Sequence, residues 1–543
     1  MNSAHPTNIL HGQDLLSGPE NLLIENFAKT CGAVPAAEAL SRFLAEAFGL
    51  DLATDPDIVV GFASDESHLP GSAAGVCRPR TRRDVAIVLR ACFRCGMPVT
   101  ICSGRSNLTG SATPEGGILV SLASMEEPSF AVDEAARTVV APVGMFLEDM
   151  RKAVLAATEG RLAYPVDPTS RAEATVGGSI ACNASGFTPG TAGATRDWVE
   201  RVEVVLPCGT LVAARRGACV SQDGVFRLEA DGAMREIPVP RFPRPDVKNA
   251  GGPFSAVDGA MDFVDFVVGS EGIYGAVVAA TLRLAPKPET FLDLFFSLPS
   301  EAAAIDFRLR LEDELGGTLS GLAACEYFGV NCRRYMDHES RFFSGDNPVA
   351  AYLQVPAAAA EADALAEAWF ERLCGLGVDP DAILLLDNDR DRSLFLEARH
   401  SMPANSLEVV NRRGTFTLMT DTVVPRDRFA EFLAFAHALL AENAIDYLAF
   451  GHLGDCHLHF SMMPERSQLE DATRVYETIV AKSAALGGVY SGEHGTGKRK
   501  RADFAACNGE RGVEDVRRTK AALDPAFLLN RGNVVTAPRI DTH

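Results

Sequence analysis

Three glycine-rich segments, each beside a β-rich run, constrain the fold of this chain more than any other feature. The first, residues 103–110 (SGRSNLTG), follows a predicted strand at 98–101. Before that strand come a predicted strand at 75–78 and a predicted helix at 81–95. This alternation of strand, helix and strand indicates an α/β sheet.

The glycines and hydroxyl side chains of these segments let the backbone approach a ligand closely. In residues 103–110 such a backbone suits an anion, because its N–H groups can surround the negative charge. Residues 175–186, preceded by DPTS at 167–170, suit packing against a flat ligand, whereas the glycines of residues 269–275 by themselves fit a turn. Taken singly, each segment also fits an ordinary turn, and the first lacks the spacing of the P-loop and of the dinucleotide fingerprint.

Size and charge exclude several classes of partner. The 543 residues correspond to three or four ordinary domains or two large ones. The net charge of −21 argues against a nucleic-acid partner and against adsorption to anionic lipid. The sequence shows neither a secretory signal nor an apolar run of 18 residues, so we expect a cytoplasmic protein without a membrane span.

The thirteen cysteines do not form a zinc or iron–sulfur pattern. Cys92 and Cys95 make the one C-x-x-C pair, at the end of the amphipathic helix predicted at 81–95. We interpret them as small core residues rather than a redox pair, in keeping with a reducing compartment.

Changes in the predicted secondary structure along the chain indicate four parts. Residues 1–55 are predicted to form a helical lead-in and residues 56–285 the α/β region. Residues 286–464 form a second region that begins with FLDLFFSLPS, and residues 465–543 are mainly helical.

The order of the three glycine-rich segments resembles the FAD-binding domain of the vanillyl-alcohol-oxidase/PCMH superfamily of FAD-linked oxidases. The branch it resembles contains D-lactate dehydrogenase, D-2-hydroxyglutarate dehydrogenase and the glycolate oxidase flavin subunit. The resemblance covers about 60–535. It implies an α+β architecture in which a two-subdomain FAD-binding domain is followed by an α+β substrate (cap) domain. A C-terminal helical segment would then complete the FAD site and the active site.

The same resemblance implies which residues hold FAD. Those assigned to the pyrophosphate, the isoalloxazine, the ribityl chain and the adenosine half are Ser103, Gly104, Arg105, Ser106, Asn107, Gly110, Pro168, Thr169, Gly177, Gly178, Asn183, Gly186, Glu271, Gly272, Val277 and Asn530. Arg105 departs from the usual Arg-Gly-x-Gly-Thr opening of the loop and would add a positive charge beside the pyrophosphate. Because the loop lacks the histidine that tethers FAD in some relatives, we expect non-covalent FAD.

A histidine cluster at 450–463 (FGHLGDCHLHFSMM) predicts a second site. The alternation in HLHFSMM places His457, His459 and Ser461 on one face of a strand. Converging imidazoles can bind Zn²⁺ or a similar ion, although a set of hydrogen-bonded structural histidines gives the same pattern.

A second segment, 489–497 (VYSGEHGTG), supplies Glu493 as an oxygen ligand and His494 as a titratable base. Gly492, Gly497 and Lys498 also match most of a Walker A motif. Arg499 stands where Ser or Thr must hold Mg²⁺, which disfavours an ATP site.

These two segments resemble the HLGDGNLH and SGEHG motifs of the D-2-hydroxy-acid dehydrogenases. The resemblance implies that His452, His459 and Glu493 bind a divalent metal, Zn²⁺ in the first place, with Fe or Mn as alternatives. It implies that His494 is the catalytic base. The family usually has Asn where this chain has His457, which is either an extra ligand or a substrate hydrogen bond.

Arg399 falls where relatives use an arginine to grip the substrate carboxylate, a task its planar fork suits. It equally fits a solvated charge on a helix. Met419 replaces a lysine that relatives often carry, so the motif gives weaker support for a dicarboxylic acid substrate. Arg412 and Arg413 either compensate or are solvated.

The resemblance thus implies an FAD-dependent dehydrogenase that oxidises a small D-2-hydroxy acid to the 2-oxo acid. Its electrons would pass to an acceptor protein or a quinone-linked subunit. The alternatives are an alditol or alcohol oxidase that uses dioxygen and a flavin relay subunit of a larger complex. A homodimer is one option for its assembly.

Overall fold

The computed structural model describes residues 6–186, 189–230 and 232–538. The strands are β1 (Ile9–Asp14), β2 (Leu52–Ala53), β3 (Gly75–Cys77), β4 (Val99–Cys102), β5 (Ile118–Ser121), β6 (Ala131–Asp133), β7 (Thr138–Val140), β8 (Leu162–Ala163), β9 (Val199–Val205), β10 (Thr210–Arg215), β11 (Val225–Ala230), β12 (Ala233–Pro238), β13 (Ala276–Arg283), β14 (Ala285–Pro286), β15 (Thr290–Leu298), β16 (Ala324–Phe328), β17 (Val349–Ala357), β18 (Ile383–Leu385), β19 (Leu418–Met419), β20 (Thr422–Val423), β21 (Tyr447–His452) and β22 (His457–Met462). The α-helices are α1 (Gly18–Cys31), α2 (Ala37–Phe48), α3 (Pro56–Val59), α4 (Arg82–Cys95), α5 (Leu147–Ala157), α6 (Val176–Cys182), α7 (Pro189–Ala192), α8 (Phe263–Val267), α9 (Glu301–Glu314), α10 (Cys332–Tyr335), α11 (Glu339–Phe342), α12 (Ala362–Gly375), α13 (Asp389–Arg413), α14 (Phe429–Glu442), α15 (Leu469–Ala485) and α16 (Arg501–Leu523).

The architecture is α+β, and the N-terminal half contains two principal sheets. A four-stranded sheet has the order β2-β3-β5-β4, in which β3 and β4 both run parallel to β5. A larger sheet has the order β12-β11-β1-β10-β9-β13-β7-β6. The strands and the helix predicted around the first glycine-rich segment are therefore confirmed as β3, α4 and β4.

Local sequence determines where helix α4 begins and ends. Thr81 and Asp84 form a capping box at its N-terminus, and Gly96 ends the helix in the left-handed conformation. Cys92 and Cys95 are buried free thiols on this helix. Burial raises the pKa of Cys95 to about 11 and that of Cys92 further, as expected of core residues.

The lead-in is not purely helical, because β1 joins the large sheet between β10 and β11. Leu10 is the one side chain of this strand in the core, so the strand lacks an apolar alternation to predict it. Gly12 marks the close approach of the neighbours: a Cβ there would lie 2.7 Å from the Thr210 Cγ2.

A second eight-stranded sheet, β18-β15-β17-β16-β21-β22-β19 with β20 paired to β22, occupies the C-terminal half. One face packs against helices α9, α12, α14 and α15. The other face packs against α10, α11 and α13. This second face also bears the histidines of β21 and β22. Among the described residues, none of the helices is both long and apolar enough to cross a membrane.

A buried ion pair fixes the C-terminal segment. The Lys520 ammonium on α16 donates to the Asp524 carboxylate at 3.0 Å and to the carbonyls of Ile273 and Leu529. Asp524 is fully buried and also accepts the N–H groups of Leu528 and Leu529. The segment after α16 is thereby tied to the third glycine-rich segment.

We therefore expect Lys520→Met to destabilise the protein by about 3–5 kcal/mol, because it leaves an uncompensated buried carboxylate. The shift of the urea denaturation midpoint measures this effect. Lys482→Met is the matched control, since Lys482 pairs with the partly exposed Glu431 and should cost less than about 1 kcal/mol. Equal shifts for the two variants would contradict the assignment.

Candidate active site

A cavity of about 750 Å³ is lined by residues from both halves of the chain. Its wall contains most of the residues singled out from the sequence: Ser103, Gly104, Arg105, Ser106, Asn107, Pro168, Thr169, Gly177, Gly178, Gly186, Glu271, Gly272, Val277, Arg399, His452, His459, Glu493, His494 and Asn530. The loop after β4 and the histidines of β21 and β22 thus face one space.

The loop after β4 presents unpaired backbone donors to this cavity. Among the described residues, the N–H groups of Gly104, Arg105 and Ser106 have no hydrogen-bond partner within the chain. Gly104 presses against the neighbouring backbone, since a Cβ there would lie 2.1 Å from the Glu173 carbonyl oxygen. Free N–H groups on a cavity wall fit the pyrophosphate of a dinucleotide cofactor.

The segment at 175–186 is similarly close-packed. A Cβ at Gly186 would lie 2.4 Å from the Asp167 carbonyl carbon and oxygen, so the two backbones touch. Asn183, predicted to line the cofactor, instead ends α6 in the left-handed conformation. Its buried amide donates to the Asn249 carbonyl and accepts the Arg196 N–H, which keeps it out of the cavity wall.

Two other residues predicted to hold the cofactor, Gly110 and Arg105, have contacts that the sequence did not indicate. Gly110 is not on the cavity wall; its positive φ of 82° allows the turn that brings it against Leu69. Arg105 reaches the wall, but its guanidinium donates to the carbonyls of Gly61 and Ser64 and lies 4.8 Å from the Phe62 ring centroid. Its charge is therefore engaged by the loop that precedes β3.

Glu271 links the third glycine-rich segment to the SGEHG segment. Its buried carboxylate accepts the N–H groups of Thr496 at 2.6 Å and Gly497 at 2.7 Å, and burial raises its pKa. These are N–H groups that a Walker A loop would offer to phosphate. Lys498 donates to Asn533 rather than facing such a ligand, so the structure does not support an ATP site.

The imidazoles of His452 and His459 converge on the Glu493 carboxylate. The Nε2 atom of His452 lies 3.4 Å from one carboxylate oxygen, and the Nε2 atom of His459 lies 3.3 Å from the other. The Nδ1 atom of His452 lies 2.5 Å from the Glu326 carboxylate, and the Nδ1 atom of His459 lies 3.0 Å from the Thr420 carbonyl oxygen. Two anchored imidazoles whose Nε2 atoms face one carboxylate match the donor types of a 2-His-1-carboxylate metal site.

The charges around this cluster keep Glu493 anionic and place a second carboxylate beside His452. Although burial opposes its charge, the Lys248 ammonium and hydrogen bonds from His452 and His459 hold the Glu493 pKa well below its usual range. Burial likewise disfavours the charged imidazole of His452, but the Glu326 carboxylate raises its pKa to about 9. Glu493 is thus an anionic carboxylate, and His452 lies in a strongly negative environment.

Asp421 is the centre of the hydrogen-bond network behind the site. Its fully buried carboxylate accepts the ring N–H of His457 at 2.8 Å and the Ser491 hydroxyl at 2.8 Å. The Lys500 ammonium and the backbone N–H of His494 donate to it at 2.8 and 3.0 Å. Asp421 therefore fixes the SGEHG segment against strand β22.

His494 lies in the cavity between this network and the cluster. Its ring stacks on His459 with centroids 5.3 Å apart, and its Nδ1 atom is 3.5 Å from the Asp421 carboxylate. Burial lowers the pKa of His494 to about 4. Its imidazole is therefore neutral near pH 7 and able to accept a proton.

His457, offered as an extra ligand or a substrate contact, is fully buried and does not line the cavity. Its ring nitrogens contact Asp421 and the Lys248 ammonium, the latter at 3.2 Å. Lys248 also donates to Glu493 at 3.2 Å. His457 thus lies within reach of the cluster but is engaged by the network behind it.

Arg399 lines the cavity from α13, and its Nη2 atom donates to Glu326 at 3.3 Å. Glu326 therefore bridges this arginine and His452. Arg412 and Arg413 lie away from the cavity, paired with Glu408 and with Asp446, so they do not replace a lysine at Met419. Met419 itself is part of the cavity wall.

Sequence reasoning did not assign roles to three residues of the site: Lys248, Glu326 and Asp421. Each lies far along the chain from the residues that it contacts. The available signal was the Asp in LMTDTVV, a charged residue inside an apolar strand, where burial without a partner is costly.

Two family models match the chain, and residues from both matched ranges line the cavity. Residues 73–215 match the FAD binding domain model, and residues 294–534 match the model of the C-terminal domain of FAD linked oxidases. The chain belongs to the FAD-linked oxidase family. It is accordingly an FAD-linked oxidoreductase, and the free N–H groups after β4 lie within the matched FAD binding domain.

Relatives in this family match over most of the chain. The glycolate oxidase subunit GlcD of Bacillus subtilis is 26% identical over 84% of this chain and 88% of its own. The D-lactate dehydrogenase of Anaerostipes hadrus is 27% identical over 87% of this chain and 92% of its own. The 4-ethylphenol oxidase from Gulosibacter chungangensis shares the fold, with a TM-score of 0.62, 16% identity and coverage of 97% of this chain and 99% of its own.

Proposed function

We propose that this member of the FAD-linked oxidase family is a dehydrogenase of D-2-hydroxy acids, of the D-lactate or D-2-hydroxyglutarate type. One observation carries the proposal: His452, His459 and Glu493 converge in the cavity that also holds the free N–H groups after β4. A pure electron relay needs no such cluster. The similarity to a D-lactate dehydrogenase and to a glycolate oxidase subunit supports the same substrate class.

In this proposal the chain's own residues bind the substrate and move its proton. When bound, FAD supplies the hydride acceptor and a divalent ion, Zn²⁺ or alternatively Fe or Mn, supplies a Lewis acid. Arg399 binds the substrate carboxylate, and His452, His459 and Glu493 hold the ion. His494, neutral near pH 7, takes the proton of the 2-hydroxyl onto its imidazole. The electrons that bound FAD would supply belong, in this proposal, to an acceptor protein or a quinone-linked subunit.

The test is anaerobic addition of D-lactate, D-2-hydroxyglutarate, D-malate, glycolate and the L-enantiomers to the purified protein. We expect the flavin absorbance near about 450 nm to bleach with a D-acid and not with its L-enantiomer, since the flavin carries this chemistry. Bleaching by an alditol, with rapid peroxide formation in air, would replace the proposal by an alditol oxidase. A yellow protein that neither class of substrate bleaches would favour an electron relay.

Asp421→Asn should lower kcat about 10- to 100-fold while FAD and the fold are retained. Residues that orient a metal's ligands have effects of this size, and the amide removes the charge that fixes the SGEHG segment. The variant is checked by kcat, flavin absorbance and circular dichroism. Asp427→Asn, an exposed change six residues away, should leave kcat unchanged. Wild-type kcat in Asp421→Asn would show that Asp421 does not position the site.

A further inference from the structure

One side of the cavity wall beside the His/Glu cluster (His452, His459 and Glu493) is apolar. The register of the neighbouring strands places apolar side chains there. Phe450 on β21 pairs with His459, and Phe328 on β16 pairs with Phe450. Met419 on β19 pairs with Ser461, two residues from His459 on the same face of β22. Because cross-strand partners project to one face, these three side chains lie on the same face of the sheet as His459.

Helix α13 closes the same wall. Arg399 and Met402 lie one turn apart on this helix, and both line the cavity. Phe450 lies with its ring centroid 5.4 Å from that of His459. The cavity wall near Arg399 is therefore apolar. We call this part of the wall the side-chain pocket; it is formed by Met402, Met419, Phe328 and Phe450.

This pocket lacks a partner for a second carboxylate. Among the described residues, Arg105 and Arg399 are the only lysines or arginines on the cavity wall. His400 also lines the wall, but burial lowers its pKa, so its imidazole is neutral near pH 7. Arg105 is directed to the carbonyls of Gly61 and Ser64. A carboxylate placed in the pocket would lose its hydration without gaining a cation, whereas an apolar chain would gain from burial.

We propose that the enzyme acts on D-2-hydroxy monocarboxylic acids whose side chain is apolar and larger than methyl, bound by the side-chain pocket. The inference rests on the proposed function, because it takes Arg399 and the His/Glu cluster as the site of the 2-hydroxy acid group. It adds the chemical class of the group attached at C2.

The experiment compares kcat/KM for D-lactate, D-2-hydroxybutyrate, D-2-hydroxy-4-methylpentanoate and D-2-hydroxyglutarate with the full-length, FAD-loaded protein. The rate constant should rise about fourfold for each added methylene along the first three acids. D-2-hydroxyglutarate should be at least about 100-fold poorer than the 4-methylpentanoate analogue, because its second carboxylate lacks a partner.

Met419→Lys tests the pocket directly. It should raise kcat/KM for D-2-hydroxyglutarate relative to the 4-methylpentanoate analogue by at least about tenfold, through one added ion pair. Phe416→Lys adds the same charge at an exposed position three residues away and should leave that ratio unchanged. A wild-type protein that prefers D-2-hydroxyglutarate would overturn this inference and leave the proposed function standing. Flavin reduction by none of the four acids would overturn the proposed function, and this inference with it.

Discussion

A Gly104→Val variant is expected to purify without flavin. The Cβ of any side chain at this position would lie 2.1 Å from the Glu173 carbonyl oxygen and 3.2 Å from the Ala174 Cα, both backbone atoms. The loop must therefore move, and the N–H groups of Gly104, Arg105 and Ser106 move with it. Two lost charge-assisted hydrogen bonds correspond to roughly 3 kcal/mol or more, at least about 100-fold in FAD affinity.

The measurement is the ratio of flavin absorbance to protein, followed by titration of the apoprotein with FAD. Gly18→Ala is the control, because a Cβ at Gly18 meets no atom within 4 Å. It should bind FAD as the wild type does. Full flavin content in Gly104→Val, with an unchanged dissociation constant, would contradict our assignment of these N–H groups to the pyrophosphate.

The sequence predicted best those features of the site whose conformation depends on a few neighbouring residues. Residues 103–107 combine glycine and hydroxyl side chains directly after a strand, and this composition suffices to indicate a close-packed loop. The alternation in HLHFSMM likewise placed His457 and His459 on one face of β22, which the cross-strand pairs confirm. In both cases, backbone geometry over a few residues determines the outcome.

The residues whose contacts differ from the expectation are those that distant segments of the chain contact. Arg105 lies in the predicted loop, but Gly61 and Ser64 supply carbonyls that engage its guanidinium. Asn183 was expected at the cofactor, yet Asn249 and Arg196 bind its amide in the core. Neither partner set can be identified from local pattern, because the contacts span tens of residues.

The same reason explains why the network behind the site was not predicted. Lys248 reaches Glu493, which lies 245 positions later in the chain, and Glu326 reaches His452, 126 positions later. A single buried charge is costly, so each of these groups implies a partner. The sequence alone does not say which partner, whereas the sheet register and the fold of the SGEHG segment do.

His459→Ala should abolish turnover and leave the flavin bound. The substitution removes one of three proposed ligands, because the Nε2 atom of His459 lies 3.3 Å from Glu493 and its Nδ1 atom is anchored by Thr420. We expect kcat to fall at least about 10⁴-fold, roughly 5.5 kcal/mol in activation free energy, with loss of bound metal. FAD should stay, because the free N–H groups after β4 belong to a separate part of the wall.

Three measurements on one sample decide this prediction: metal per chain by mass spectrometry, flavin absorbance and kcat. His437→Ala is the matched control, since His437 packs against Phe460 on the opposite face of β22, with ring centroids 5.5 Å apart. Its removal should leave metal and flavin contents unchanged. Full turnover by a metal-free His459→Ala protein would remove the metal from the mechanism and leave His494 and Arg399 as the groups that act on the substrate.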